Sequence, residues 1–96
     1  MTNKAGNKRP YVDRKNISAL PQESGVYFLY QDGNLLVYIG KANSIRSRVM
    51  QHDKEKTFCG VAYELTHFSR ARTLEKELLS QHVKENVELP YYNRQL

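Results

Sequence analysis

The sequence predicts a small α/β domain of the α+β kind, ordered β-β-α-β-α, with a three-stranded, mainly antiparallel sheet flanked by helices. Three observations lead there. Two β-branched and aromatic runs are separated by Asp32-Gly33-Asn34, a hairpin signal. Apolar residues recur at helical spacing at Ala71, Leu74 and Leu78. A chain of 96 residues with 40% apolar side chains supports one modest core and no second one.

The elements follow in order. Residues 1–16 are polar and without periodicity, and read as a basic flexible arm ahead of a domain over 17–96. Residues 17–24, with Pro21, make an irregular lead-in. Gly25 to Gln31 holds Val26, Tyr27, Phe28, Leu29 and Tyr30, which is strand material. The second strand runs from Leu35 to Ile39 and ends at Gly40. Ser44 is an N-cap for a helix over 45–54, with Ile45 and Val49 on one face. Val61 to Thr66 alternates weakly and reads as the third strand. Ser69 is the expected cap of a second helix, whose stripe Leu79 and Val83 widen. Pro90 stops that helix, and Pro90-Tyr91-Tyr92-Asn93 closes the chain's folded part.

Charge is unevenly spread. The net charge is +5, and residues 1–16 hold five cations against Asp13 alone. The arm therefore suits attraction to phosphates, or is simply a solubilising terminus. One cysteine, Cys59, rules out an intramolecular disulfide and fits a reducing compartment. No apolar run approaches the roughly 20 residues of a membrane span. A cytoplasmic protein without a membrane partner is the expectation.

The informative stretch is Gly25-Val26-Tyr27, then Tyr38-Ile39-Gly40-Lys41-Ala42, then Arg48 ten residues after Tyr38. Taken singly, Tyr27 and Tyr38 are strand formers in a chain with seven tyrosines. Taken together with Leu20-Pro21, the run Leu74-Glu75-Lys76-Glu77-Leu78-Leu79 and the closing Pro90-Tyr91-Tyr92-Asn93, the set resembles the GIY-YIG nuclease family. Its motifs stand nearest to those of the N-terminal nuclease domain of the bacterial excision-repair endonuclease. The resemblance covers residues 20–96. It implies a metal-dependent DNA endonuclease that hydrolyses a phosphodiester bond, one strand per domain. It implies catalytic positions at Tyr27, Tyr38, Lys41, Arg48, His52, Glu75 and Asn93, with Glu75 as the metal ligand. Four features depart from the pattern. Ser24 stands where the repair branch usually has proline, and Arg70 replaces a frequent acid. The gap from Glu75 to Asn93 is longer than in the repair branch. His52, four residues after Arg48, is more similar to the restriction and homing branches.

Elementary chemistry agrees with that assignment. Phosphodiester hydrolysis needs an activated water, stabilisation of developing charge and help for the leaving oxygen. Tyrosines on adjacent strands can hold water by their hydroxyls. With a pKa of about 10, a tyrosine is a poor base unless a cation such as Lys41 or a metal lowers it. Which of the two takes the proton stays open. Arg48 can fork onto phosphate oxygens. His52 lies one turn on, to relay a proton, touch phosphate or merely face solvent. Glu75 can hold one hard cation, Mg²⁺ or Mn²⁺, through oxygen, or else pair with Lys76 or Lys84. Two ions would need more carboxylates. A zinc site from His52, Cys59, His67 and His82 lacks the paired spacing such sites use.

Two other functions fit less of the pattern. One is a nucleic-acid-binding module of the same fold without catalysis. The other is a protein-interaction domain using the hairpin tyrosines. DNA is the expected partner. A domain this small has little room for base readout, so the arm, a homodimer or a partner protein would have to supply specificity.

Overall fold

The computed structural model describes residues 9–94. The hairpin pairs β2 (Gly25–Gln31) with β3 (Leu35–Ala42), joined by the single 3-10 turn Asp32–Asn34. Asn34 takes the left-handed φ of 62° that this short turn needs, which an asparagine adopts readily. Helix α1 (Ile45–His52) follows, then β4 (Gly60–Leu65) and helix α2 (Phe68–Asn86). A 3-10 turn at Tyr91–Arg94 closes the described chain. Among the described residues, no helix is long and apolar enough to cross a membrane.

The sheet has four strands, not three. Its first strand, β1 (Tyr11–Asp13), falls inside the stretch read as an arm and pairs antiparallel with β4, giving the order β1-β4-β2-β3. Three residues in a polar, basic context carry no periodicity to reveal them. What fixes them is tertiary: Tyr63 N–H donates to Pro10 O, Arg14 N–H donates to Cys59 O, and Arg9 and Arg14 pair with Glu64 and Asp53. These two arginines are thus spent on the domain itself. The rest of the stretch, residues 1–8, lies outside the described residues.

The α1 boundary is set by its cap. Ser44 Oγ accepts from Ser47 N–H, while Glu23 O and Pro21 O accept from the N–H groups of Ile45 and Arg46. The lead-in therefore satisfies donors the helix leaves open. The cap of α2 is His67 rather than Ser69: the Ser69 N–H donates to His67 Nδ1 at 3.2 Å. Ser24 also finds a purpose. Its hydroxyl donates to Thr66 O at 2.6 Å, and its carbonyl accepts from Thr66 N–H, fastening β2 to the end of β4.

The sheet lies between the two helices. On one face Tyr27, Leu29, Val37, Ala42 and Val61 pack with Ile45 and Val49 of α1 and with Ile17, Leu20 and Phe58. On the other, Val26, Phe28, Tyr30, Ile39 and Ala62 meet Leu74, Leu78 and Leu79 of α2. Val83, expected in that stripe, stays 36% exposed near the helix end. A register shift between Leu29 and Tyr30 places Val37 as an extra residue on β3, since Tyr30 pairs Leu36 and Leu29 pairs Tyr38. The bulge lets Val37 and Tyr38 both pack on the α1 side.

Candidate active site

Register builds the centre of the site. Tyr27 pairs Gly40 on β3 and Leu29 pairs Tyr38, so the two tyrosines are diagonal neighbours on the α1 face, with ring centroids 5.9 Å apart. Gly40 makes that possible. A Cβ there would stand 2.6 Å from the Tyr27 hydroxyl and 2.6 Å from the Tyr38 ring, far inside contact distance. The glycine after Tyr38-Ile39 is thus the space the two rings occupy.

His52 completes the cluster from the last position of α1. It is the one buried polar or charged side chain among the described residues, and its Nε2 lies 2.7 Å from the Tyr27 hydroxyl. Its ring centroid is 5.6 Å from that of Tyr27 and 5.0 Å from that of Tyr38. Burial is the main cause that lowers its pKa to about 4, and the cations Lys56 and Arg48 lower it further. The imidazole is therefore neutral at pH 7. Its Nδ1 is buried with no hydrogen-bond partner among the described residues. Tyr27 is wholly buried, and desolvation, followed by the neighbouring Tyr38, drives its pKa far above the usual phenol value. Arg48 opposes that rise.

Around this buried pair stand exposed or half-buried charges. Lys41 and Arg48 are exposed, while Tyr38 and Glu75 are half-buried. Glu75, on α2, has its pKa raised by burial against the lowering pull of Lys41 and Arg72. It also contributes to the rise at Tyr27, so the acid, Lys41, Arg48 and the tyrosine pair share one electrostatic neighbourhood. The described ion pairs are Arg9–Glu64, Arg14–Asp53, Lys56–Glu55 and Arg94–Glu88, which leave Glu75 out. Lys76 and Lys84 therefore do not claim it.

Asn93 sits differently. Its Oδ1 accepts from Ile39 N–H at 2.9 Å and its Nδ2 donates to Ile39 O at 3.0 Å. Both ends of the amide are used on the backbone next to Tyr38, along the sheet's outer strand, as a ladder partner would be. His67, Cys59 and His82 stand apart from the tyrosine cluster. His67 caps α2 and Cys59 Sγ lies 3.3 Å from Asp32 Oδ1.

One neighbour, Lys56, carried no signal in the sequence, and Tyr92 stood there only as part of the closing run. Lys56 lies over the rings of Tyr38 and Tyr92, at 5.4 and 5.6 Å from their centroids. The Tyr92 hydroxyl accepts from Thr57 N–H at 3.1 Å. Nothing in Asp53-Lys54-Glu55-Lys56 distinguishes the last lysine from a solvated charge.

The fold recurs in a solved structure. The chain matches the crystal structure of the N-terminal endonuclease domain of UvrC from Thermotoga maritima, which is described as bound to its catalytic divalent cation, magnesium, with a TM-score of 0.62, 24% identity and coverage of 96% of this chain and 98% of that one. This is the GIY-YIG fold. A point variant of the same Thermotoga maritima domain matches with a TM-score of 0.61. In sequence, this GIY-YIG chain is 37% identical over 87 residues to UvrABC system protein C of Deinococcus radiodurans, covering 81% of the chain. It is 30% identical over 99 residues to the same protein of Trichormus variabilis, covering 90% of the chain. The chain spans only 13% and 15% of the length of those two relatives. No family model matches it. The resemblance to the GIY-YIG domain of UvrC thus holds in both fold and sequence.

Proposed function

We propose that this domain is a DNA endonuclease that hydrolyses one phosphodiester bond per domain, using Mg²⁺ or Mn²⁺ held by Glu75. The observation that carries the reading is the tyrosine–tyrosine–histidine cluster on one sheet face, which shares its field with Arg48 and with Glu75, itself influenced by Lys41. The GIY-YIG fold and the likeness to UvrC support it.

The donor set fits a hard cation. Glu75 is half-buried, desolvated and outside every described ion pair. A carboxylate in that condition gains from a small divalent ion bound through oxygen. No group of three or more His, Cys, Asp or Glu gathers among the described residues, so water and phosphate would supply the remaining ligands. Bound there, the ion acidifies water and offsets charge on the phosphate.

The protein's own groups divide the rest. Tyr38 is half-buried and accessible to a water in the groove, whereas Tyr27 is sealed in. Water therefore gives its proton to the Tyr38 oxygen as the Tyr38 proton passes inward through Tyr27 to Nε2 of His52. The hydroxide bonds to phosphorus, and the bond to the leaving oxygen breaks. A base with a pKa near 4 is weak at rest. Two of the groups that weaken it are the cations Arg48 and Lys56, and a phosphate entering beside Arg48 offsets that positive field. The base strengthens once DNA is bound. Arg48 forks onto the phosphate oxygens as their charge grows. Asn93 acts at one remove, by fixing the strand that presents Tyr38. A homodimer or a partner protein would select the site, because so small a domain has little room for base readout.

Plasmid nicking tests the reading. The parent chain with Mg²⁺ or Mn²⁺ should convert supercoiled DNA to open circles, and Glu75→Gln should not, while melting at the parent temperature. A parent chain that binds DNA but never nicks it with either ion would be a binding module and not a nuclease.

A further inference from the structure

We propose that Lys56 is a further positioning residue of this site: its ammonium, held between the rings of Tyr38 and Tyr92, fixes Tyr38 against the Tyr27–His52 pair. The inference rests on the nuclease reading and deepens it.

Four observations carry it. First, the lysine is clamped. Its Nζ stands 5.4 Å from the Tyr38 ring centroid and 5.6 Å from that of Tyr92, both within cation–π range. Second, its side chain is largely withdrawn from water. The side chain is only 18% exposed, although lysine normally keeps its ammonium solvated. Third, its one described carboxylate neighbour is a poor substitute for that water. Glu55 Oε1 lies 3.9 Å away on a side chain that is 60% exposed. Fourth, the backbone on both sides is tied to the site. Lys56 N–H donates to His52 O at 2.8 Å, and the next amide, Thr57 N–H, donates to the Tyr92 hydroxyl at 3.1 Å.

The clamp links three elements. Tyr38 belongs to β3, His52 ends α1, and Tyr92 lies in the closing turn whose next residue, Asn93, grips Ile39. Tyr38 packs on Tyr27 and His52 but is only half-buried, so those contacts leave part of its ring uncovered. The ammonium on its face restrains the ring and holds the hydroxyl beside Tyr27. The same charge adds to burial in holding the imidazole neutral before substrate arrives. Lys56 thus acts through Tyr38 and His52 without touching the phosphate. That sets it apart from Lys41 and Arg48, which are exposed at the groove.

The test uses the full chain with Lys56→Met, Lys56→Arg and Tyr92→Leu. Lys56→Met should lower the single-turnover cleavage rate about tenfold, the scale of a lost partly desolvated cation–π contact. The Kd for duplex DNA and its salt slope should stay at the parent values. Lys56→Arg should restore most of the rate, because a guanidinium stacks on both rings. Tyr92→Leu should fall between them. Parent rates in Lys56→Met would overturn the proposal. So would a weakened Kd with a flattened salt slope and an intact rate, which would make Lys56 a phosphate ligand. An NMR readout is independent of cleavage: the Lys56 Cε protons should be ring-shifted upfield in the parent, and the His52 titration should move to higher pH in Lys56→Met. Absence of both effects overturns the clamp even if the parent chain cuts no DNA. A parent without activity but with both effects overturns the nuclease reading and leaves the clamp standing.

Discussion

On the α1 side of the sheet, the buried layer contains Tyr27 and His52 joined by a 2.7 Å contact, with one imidazole nitrogen left without a partner. On the α2 side, Val26, Phe28, Ile39 and Ala62 meet three leucines, and Tyr30 is the one buried residue with a polar tip. The two faces belong to the same strands and differ by alternate residues. The difference teaches a division of labour. Apart from Glu75 on helix α2, the α2 side supplies apolar burial, the main favourable term in folding. The α1 face spends part of its burial on polar groups, which cost free energy unless paired. A neutral imidazole with an orphaned nitrogen adds little to a fold, and it is a proton acceptor only once its surroundings strengthen it.

The largest effect expected on stability comes from the α2 face. Phe28 is 3% exposed, with the Arg9 guanidinium 4.4 Å above its ring. Phe28→Ala should cost about 3–5 kcal/mol, the usual range for truncating a buried aromatic. Its cleavage rate, measured well below the lowered melting temperature, should remain near the parent's. A variant that keeps its stability, or that loses the reaction while still folded, would break the division between faces.

Acid should expose the other face. His52 has a folded pKa of about 4 against an ordinary value of 6.5, so the unfolded chain takes up its proton first as pH falls. Stability from this group is complete above about pH 6.5 and is lost as pH drops towards 4. The loss is at most about 3 kcal/mol. Burial sets most of this shift, the cations Lys56 and Arg48 add to it and Glu55 opposes it, around a ring that packs on Tyr27 and Tyr38. Glu75 acts in the opposite sense, because its folded pKa is raised and its protonation slightly favours the fold. Denaturant midpoints at pH 7 and pH 4.5 should therefore separate in the parent and converge in His52→Gln. Equal acid losses in both chains would show that His52 is not buried as a neutral base.

The same two faces explain what the sequence revealed. The hairpin was legible because β-branched and aromatic residues flank a turn tripeptide, and α1 because Ser44 precedes Ile45 and Val49. The α2 stripe was legible from its spacing, although its cap was misplaced by two residues because a histidine is an unusual acceptor there. Strand β1 was hidden because its partners lie some fifty residues away and its own three residues carry no pattern. At the site, Tyr27, Tyr38, Arg48 and Glu75 were singled out by the resemblance of the whole motif set to the GIY-YIG family, since each residue alone reads as a strand former or a surface charge. The burial of His52 could not, because it depends on where α1 ends against the sheet. Lys56 depends on a loop meeting the closing turn, and no local pattern encodes that contact. The two-sided grip of Asn93 on Ile39 likewise exists only between distant segments.

The smallest effect tests the α2 side at its rim. Val87 ends α2 with φ 71°, a left-handed conformation, while its N–H donates to Val83 O at 2.7 Å. Helices commonly end this way, but with glycine or asparagine at the left-handed position. A β-branched residue there costs roughly 1–2 kcal/mol, because its Cβ crowds the neighbouring carbonyl. Val87 recovers little by packing, since it is 83% exposed. Val87→Gly relieves the crowding but gives the unfolded chain more freedom to lose, an offset of about 0.4–1 kcal/mol. The net should be a gain of about 0.5–1 kcal/mol, visible as a rise of a few degrees in melting temperature. Val87→Asn should gain less, because asparagine keeps a Cβ but tolerates this conformation better than valine. Neither change lies on the α1 side, so cleavage rate and DNA affinity should not move. A Val87→Gly chain that melts lower than the parent would mean that the exposed valine makes contacts worth more than its strained backbone costs. A change in cleavage rate would mean that the end of α2 is coupled to Glu75, and the two faces would no longer be independent.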